Sequence, residues 1–385
     1  MRRLLRMGMV GGGTDSLMGG VHRAAARMTG RIELVCGAFS SNRQKSTDSG
    51  EAIGLPRARV YGAYRDMLRK ESQLAADLRP DFIAIVAPNN MHYPIAMAAL
   101  DAGFNILCES PMTTSMDEAL NLKRKLVDKG LEFCLTFSYS AYPMIKQARA
   151  LVQQHAIGNI RKIAVMYPQG WLATRLETAG NKQAGWRTDP RRVGPSGCMA
   201  DIGTHCIHLA EYVTGLALKE VCADLRAFIP GRPLDDDGAV LLHFDNGAHG
   251  VVWASQVCIG QSSSLKLMVY GEKGGIEWQL DHPNLLTLNT LTGPAQVFHS
   301  GGPGASADSK TPFPLPRGQT ECFLVALTTL YHAFANRLEA LADNKPDAVF
   351  DYPSVDAGIQ AMAFVDAVVR NVKPENTNKW TTLAI

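Results

Sequence analysis

Three consecutive glycines, Gly11-Gly12-Gly13, close the apolar run Leu4–Val10, and an amphipathic stretch begins a few residues later. That order describes a tight strand-to-helix turn, and it limits what the first third of the chain can fold into. Backbone N–H groups at the start of such a helix can hold a diphosphate, and side chains in the turn would obstruct it. The fit to G-x-G-x-x-G is partial. Gly11 and Gly13 match, the third position is Ser16, and the next glycine is Gly19. A tight turn of any doubly wound sheet gives the same glycines, so their context has to decide.

The context is repetitive. Short apolar runs at 4–10, 32–39, 82–87, 105–109 and 132–137 alternate with helical patterns at 20–28, 45–53, 65–71, 93–102 and 115–129. Strands alternating with helices of this length predict a parallel sheet covered on both faces. After Pro143 the pattern changes. Helices are expected over 144–153 and 204–214, separated by an irregular polar stretch, 169–197. Period-two alternation then runs through 239–244, 250–258, 265–270 and 276–280, with a hairpin signal at Asp245-Asn246-Gly247. These segments predict a mostly antiparallel sheet, and helices over 321–342 and 355–371 close the chain. The expected division is 1–139 and 140–385, with a surface loop over 301–310 and Asp235-Asp236-Asp237 as a solvated turn.

The chain has 385 residues, 46% of them hydrophobic and 19% charged, which excludes disordered and collagen-like classes. Its net charge is +3, from 39 basic and 36 acidic side chains, too balanced to suggest a nucleic-acid or membrane-surface partner. The 8 cysteines include no C-x-x-C pair and read as reduced thiols of a cytoplasmic protein. Neither a signal-peptide h-region nor a membrane-length apolar stretch is seen.

A nucleotide-binding reading makes demands on the end of the second strand. There an acid would bind a ribose 2′-hydroxyl, but the chain reads Ser40-Ser41-Asn42-Arg43, with Lys45 beyond. The missing carboxylate leans toward NADP, with NAD left open. Asp15 is unfavourable beside a diphosphate unless its side chain turns away.

Two further segments carry a resemblance. One is Ala87-Pro88-Asn89-Asn90-Met91-His92-Tyr93-Pro94, followed by Cys108-Glu109-Ser110-Pro111. The other is Gly197-Cys198-Met199-Ala200-Asp201-Ile202-Gly203-Thr204-His205-Cys206-Ile207-His208. With the N-terminal turn and Tyr270-Gly271-Glu272-Lys273-Gly274-Gly275, they resemble the glucose–fructose oxidoreductase/inositol dehydrogenase/MocA family along essentially the whole chain. The run Lys182-Gln183-Ala184-Gly185-Trp186-Arg187-Thr188-Asp189-Pro190 resembles the branch that includes levoglucosan-type sugar dehydrogenases. The resemblance implies an α/β protein: an N-terminal Rossmann doubly wound parallel sheet, and a C-terminal α/β domain built on a mostly antiparallel open sheet. It also implies NAD or NADP as cofactor and hydride transfer at a secondary alcohol of a sugar, cyclitol or related polyol.

The resemblance also distributes roles. Gly11, Gly13, Ser16, Ser40, Ser41, Arg43, Pro88, Asn89, His92 and Glu109 are expected to bind the cofactor, with Asn89 and His92 on a loop facing the nicotinamide. Family members carry a catalytic lysine between Glu and Pro, where this chain has Ser110. A serine has no comparable pKa and a shorter reach. Asp201 and His205 keep the family spacing. His205 is the expected acid/base, since an ordinary imidazole titrates near neutrality, and Asp201 would orient it or bind substrate. Trp171, Trp186 and Arg187 suit a sugar, with aromatic faces for C–H patches and a guanidinium for hydroxyls, although packing explains them equally. His208 is expected to line or underlie the pocket, and its i, i+3 spacing from His205 is not read as a metal pair. A homodimer or homotetramer through the C-terminal sheet is expected. The alternative function is a repurposed member that binds nucleotide but is catalytically silent, or performs a transient-oxidation lyase or glycosidase step.

Overall fold

A computed structural model describes residues 3–262, 264–309 and 322–384. The chain forms two compact units. The first comprises Met1–Thr113, Asp117–Thr136 and Phe323–Gly358, and the second Thr114–Met116, Phe137–Cys322 and Ile359–Ile385.

The first unit is built on five strands, β1 (Leu5–Gly11), β2 (Ile32–Ala38), β3 (Phe82–Val86), β4 (Asn105–Cys108) and β5 (Phe133–Leu135). All are parallel, in the order β2-β1-β3-β4-β5. β3 is buried at every position, which is why its sequence, Phe-Ile-Ala-Ile-Val, is apolar without alternation. The strand order reverses at β1, so the carboxyl ends of β1 and β3 flank the crevice where open α/β sheets bind ligands.

One expectation about this unit changes. The linear split into 1–139 and 140–385 becomes interleaved, because the helix Phe323–Ala342 packs into the first unit. Leu327, Tyr331 and Phe334 join Met7, Met9, Phe82 and Ala84 in one core, with Phe334 edge-on to Phe82 at 5.5 Å. The helix pattern locates an apolar face but not the sheet that covers it. The residue that opens its expected span, Glu321, lies outside the described residues, as does Lys310 at the end of the expected 301–310 loop.

The second unit carries a nine-stranded sheet. Its strands are β6 (Ile160–Pro168), β7 (Leu218–Arg226), β8 (Asp237–Phe244), β9 (His249–Ser255), β10 (Lys266–Gly271), β11 (Gly274–Gln279), β12 (Leu285–Thr290), β13 (Gln296–His299) and β14 (Thr381–Thr382). They lie in the order β13-β12-β11-β10-β6-β9-β8-β7-β14, antiparallel except for the β6–β9 pair. The expected hairpin joins β8 to β9, with Gly247 at φ +83°. Helices Pro143–Gln153 and Thr204–Thr214 cover one face, over inward residues such as Ile163, Val165, Val240 and Val252, each at 0% exposure. The opposite face is open. Met166, Trp253 and Ala239 form one cross-strand row there, and Met268, Ala164, Val251 and Leu241 form the next.

The acidic run is not a solvated turn. Asp236 is 2% exposed and accepts hydrogen bonds from the Phe228 and Ile229 N–H groups and from Arg232. Asp235 accepts from the Gly197 and Met199 N–H groups at 2.8 and 2.9 Å. Backbone donors elsewhere in the fold reclaim these carboxylates, which a local reading of three acids cannot anticipate.

Candidate active site

In the first unit the glycine turn stands at the carboxyl end of β1. Gly11 and Gly12 have φ of +80° and +66°, a region that L side chains rarely adopt. A Cβ on Gly11 would lie 2.2 Å from the Val86 carbonyl oxygen. Gly19, not Ser16, serves as the third glycine. A Cβ there would come within 2.0 Å of the Gly12 oxygen, so this is where the helix Leu17–Met28 packs against the turn. Ser16 instead caps that helix, its hydroxyl accepting from the Gly19 N–H. The glycines of the turn are all present with a longer spacing, and the turn is braced by Ser49, which accepts from the Thr14 N–H at 3.2 Å, and by Arg23, which donates to the Gly12 carbonyl. This fits a dinucleotide diphosphate.

At the end of β2, Ser40 accepts from the Asn42 N–H, and Asn42 caps the helix Arg43–Ala52. Arg43 is exposed at the first position of that helix, its stem against Gly62. Asn89 and His92 are not on a loop. The helix begins at Asn89, with Pro88 as its cap, and tolerates Pro94 inside its second turn. Asn89 is 2% and His92 0% exposed. Both His92 ring nitrogens sit against carbonyl oxygens, Pro111 at 2.7 Å and Ala87 at 2.8 Å. His92 therefore braces the segments after β3 and β4.

Glu109 is similarly engaged. One carboxylate oxygen lies 2.5 Å from His22 Nε2, and the other accepts from the Ser110 N–H at 3.3 Å. Burial pushes this carboxyl up, but the hydrogen bond from His22, with lesser help from its other neighbours, outweighs it and holds Glu109 below the usual carboxylate range.

In the second unit Asp201 sits in a π-helical turn, Met199–Gly203, that leads into the helix Thr204–Thr214. Such turns recur at functional sites because they re-aim a side chain. Gln256 Nε2 donates to Asp201 Oδ2 at 2.7 Å, and Arg187 Nε approaches Oδ1 at 3.4 Å. Arg187 also donates to Gln183 at 2.6 Å. Its guanidinium lies 4.1 Å from the Trp186 ring centre and 5.8 Å from that of Trp171. Asp201, Arg187, Trp171 and Trp186 thus form one cluster with Gln183, which lies in the quoted run 182–190, and with Gln256, which no motif flagged.

His205 and His208 flank a second cluster. His205 meets Phe137 and Tyr139 edge-to-face, with ring centres 5.1 and 5.2 Å away. His208 stacks on Phe137 at 4.5 Å and is 9% exposed. Among the described residues no group of three His, Cys, Asp or Glu side chains converges as a metal site.

Comparison with known proteins defines the class. Residues 5–137 match the family model described as the oxidoreductase family, NAD-binding Rossmann fold, and residues 145–277 match the GFO/IDH/MocA C-terminal domain. The chain belongs to the Gfo/Idh/MocA oxidoreductase family and is an NAD(P)-dependent dehydrogenase of that family. Among its relatives, the Bacillus subtilis oxidoreductase YfiI is 31% identical over 95% of this chain and 94% of its own. Levoglucosan dehydrogenase of Pseudarthrobacter phenanthrenivorans is 25% identical over 77% of this chain and 82% of its own. An inositol dehydrogenase homolog of Azotobacter vinelandii, solved with NAD+, superposes with a TM-score of 0.94 at 29% identity, covering 99% of this chain and 98% of that one.

Proposed function

We propose that this dehydrogenase oxidises a secondary alcohol of a neutral sugar, cyclitol or related polyol, with His205 as its acid/base. The carrying observation is the Asp201 cluster. A carboxylate bound by Gln256 and a guanidinium lying over Trp186 suit hydroxyls and a C–H face. The names of the relatives agree with this class, since an inositol dehydrogenase homolog and a levoglucosan dehydrogenase are among them. The homolog has also been solved with NADH and myo-inositol.

The bound nicotinamide supplies the hydride acceptor. Gly11, Gly13 and the Ser16-capped helix start would hold the diphosphate, Ser40, Ser41 and Arg43 would take the ribose, and Pro88, Asn89 and Glu109 would form the remainder of the cofactor site. His205 would take the proton of the substrate hydroxyl as the carbinol is oxidised to a carbonyl. Asp201 accepts a hydrogen bond from substrate or from the imidazole. Trp171, Trp186 and Arg187 orient the ring, and His208 supports the pocket from beneath. Ser110 stands in the motif position of the family lysine and relays a proton at most through its hydroxyl or a water.

The open sheet face supports a homodimer or homotetramer. Its two apolar rows span neighbouring strands, and Leu241 alone is 45% exposed. The functional reading is tested with a panel of sugars and cyclitols, using NAD+ and NADP+ separately and following reduced-cofactor absorbance. Steady reduction with a neutral polyol is the expected result. Binding of cofactor without reduction by any polyol would overturn it.

A further inference from the structure

The glycine-turn helix and the Glu109-Ser110 segment are joined by a buried polar chain that no motif accounts for. His22 lies on the helix Leu17–Met28 and is 0% exposed. Its Nε2 is 2.5 Å from Glu109 Oε1, and its Nδ1 is 2.8 Å from the Tyr331 hydroxyl. Tyr331, on Phe323–Ala342, is also 0% exposed and meets the imidazole edge-on at 5.8 Å. The proton order follows from the chemistry of the three groups. An ionised carboxylate only accepts, so Nε2 carries the hydrogen. In a neutral imidazole Nδ1 then accepts, and the Tyr331 hydroxyl is its donor. Burial raises the Tyr331 pKa well above its ordinary value, so the hydroxyl keeps that proton throughout the working range.

We propose that His22, oriented by Tyr331, is a positioning residue that holds the Glu109 carboxylate ionised and fixed beside the Ser110 backbone. The inference rests on the reading of the Glu109-Ser110 segment as part of the reacting site. It gives that segment a rigid anchor where the family lysine is missing, and it ties the segment to the helix that begins at the diphosphate cradle.

The groups facing Glu109 are few. His22 comes from the first helix, His92 from Asn89–Asp101, Thr136 from the end of β5 and Tyr331 from Phe323–Ala342. Cys108 and Cys134 lie on β4 and β5, and burial raises both thiols, so they remain neutral. The hydrogen bond from His22 does most to keep Glu109 low, with Thr136 adding less. Without His22, burial acts on the carboxylate with little opposition.

The test compares wild-type protein with His22→Leu, His22→Gln and Tyr331→Phe. The Glu109 carboxyl midpoint is read by carbon-13 NMR without substrate, and kcat and KM are followed against pH. In His22→Leu the midpoint should rise by about one unit or more, so that the acid limb of the kcat profile moves to higher pH by the same amount, with the loss greatest at acid pH and negligible at pH 8, and the cofactor KM within about threefold of wild type. Gln restores a donor and should recover most of both effects, whereas Tyr331→Phe should move them partway in the same direction. If His22→Leu does not fold, Tyr331→Phe decides by the same midpoint. An unmoved Glu109 midpoint, or a loss of kcat equal at every pH and not rescued by Gln, would overturn the proposal. Wild-type protein that binds NAD+ but oxidises no polyol would overturn the polyol reading instead. The carboxyl midpoint would still decide whether His22 holds Glu109.

Discussion

Gln256 is 3% exposed, and its backbone is fixed by hydrogen bonds with Asp236 and Leu172, so its amide has little freedom to leave Asp201. Replacing it with Leu removes the 2.7 Å donor and leaves Asp201 with the longer Arg187 contact. Gln256→Leu should therefore raise the KM for polyol and lower kcat/KM by about tenfold, the cost of a hydrogen bond to a charged group. His205→Ala should act differently, lowering kcat by roughly 10²–10⁴-fold with cofactor affinity little changed. Calorimetry with NAD+ beside steady-state kinetics separates the two. Arg43 belongs to the same scale. It is exposed at the start of the helix after β2, where the proposed site would take a 2′-phosphate, and a charge-assisted bond there would be worth about 1–3 kcal/mol. Arg43→Ala should weaken NADP binding and leave NAD binding nearly unchanged, and equal effects on both would remove Arg43 from the site.

The helix Thr204–Thr214 carries its own pH dependence. Glu211, in its last turn, accepts a hydrogen bond from the Leu218 N–H, yet burial raises its pKa to about 7. The unfolded carboxyl titrates near 4.5, so between those values the native state binds the extra proton. Stability should fall as pH rises through that window and level off above about pH 7. Glu211→Gln keeps the acceptor without the charge. It should stabilise the protein by about 1–3 kcal/mol at pH 8 and by nothing near pH 4, as read by denaturant titration. Elements of this kind were mostly legible in the sequence. The helix over 204–214, its end at Gly215 and the Asp245-Asn246-Gly247 hairpin follow from periodicity and turn chemistry. The illegible parts depend on distant partners. Pro94 marks a helix start locally, but the buried His92 carries the helix four residues further back. Asp235 looks like a surface acid until the backbone of Gly197 and Met199 is placed beside it. Gln256 has no spacing rule that would link it to Asp201. Gly19 was visible as a glycine, and only the close approach to Gly12 shows which turn position it fills.

At the scale of the molecule, the open face of the nine-stranded sheet sets an expectation for assembly. Leu241 sits mid-strand in the second apolar row, opposite Val251. Leu241→Asp would put a charge at the centre of the proposed contact, which each copy would make with the same surface. Light scattering should show the wild-type assembly dissociating toward monomers in this variant, with the NAD+ affinity of each subunit preserved. A wild-type monomer would remove the sheet as a contact surface. The interleaving of the two units has a separate consequence during synthesis. The first parallel sheet is complete on the ribosome once β5 emerges, but Leu327, Tyr331 and Phe334, which cover Phe82 and its neighbours, are encoded after the whole of Phe137–Cys322. At ~5–20 residues per second that interval lasts roughly 10–40 seconds. Throughout it the nascent chain exposes an apolar sheet face, and His22 has no hydroxyl to set its tautomer. The Rossmann unit is the first to begin folding and among the last to finish, which makes this interval the natural point for a chaperone to engage.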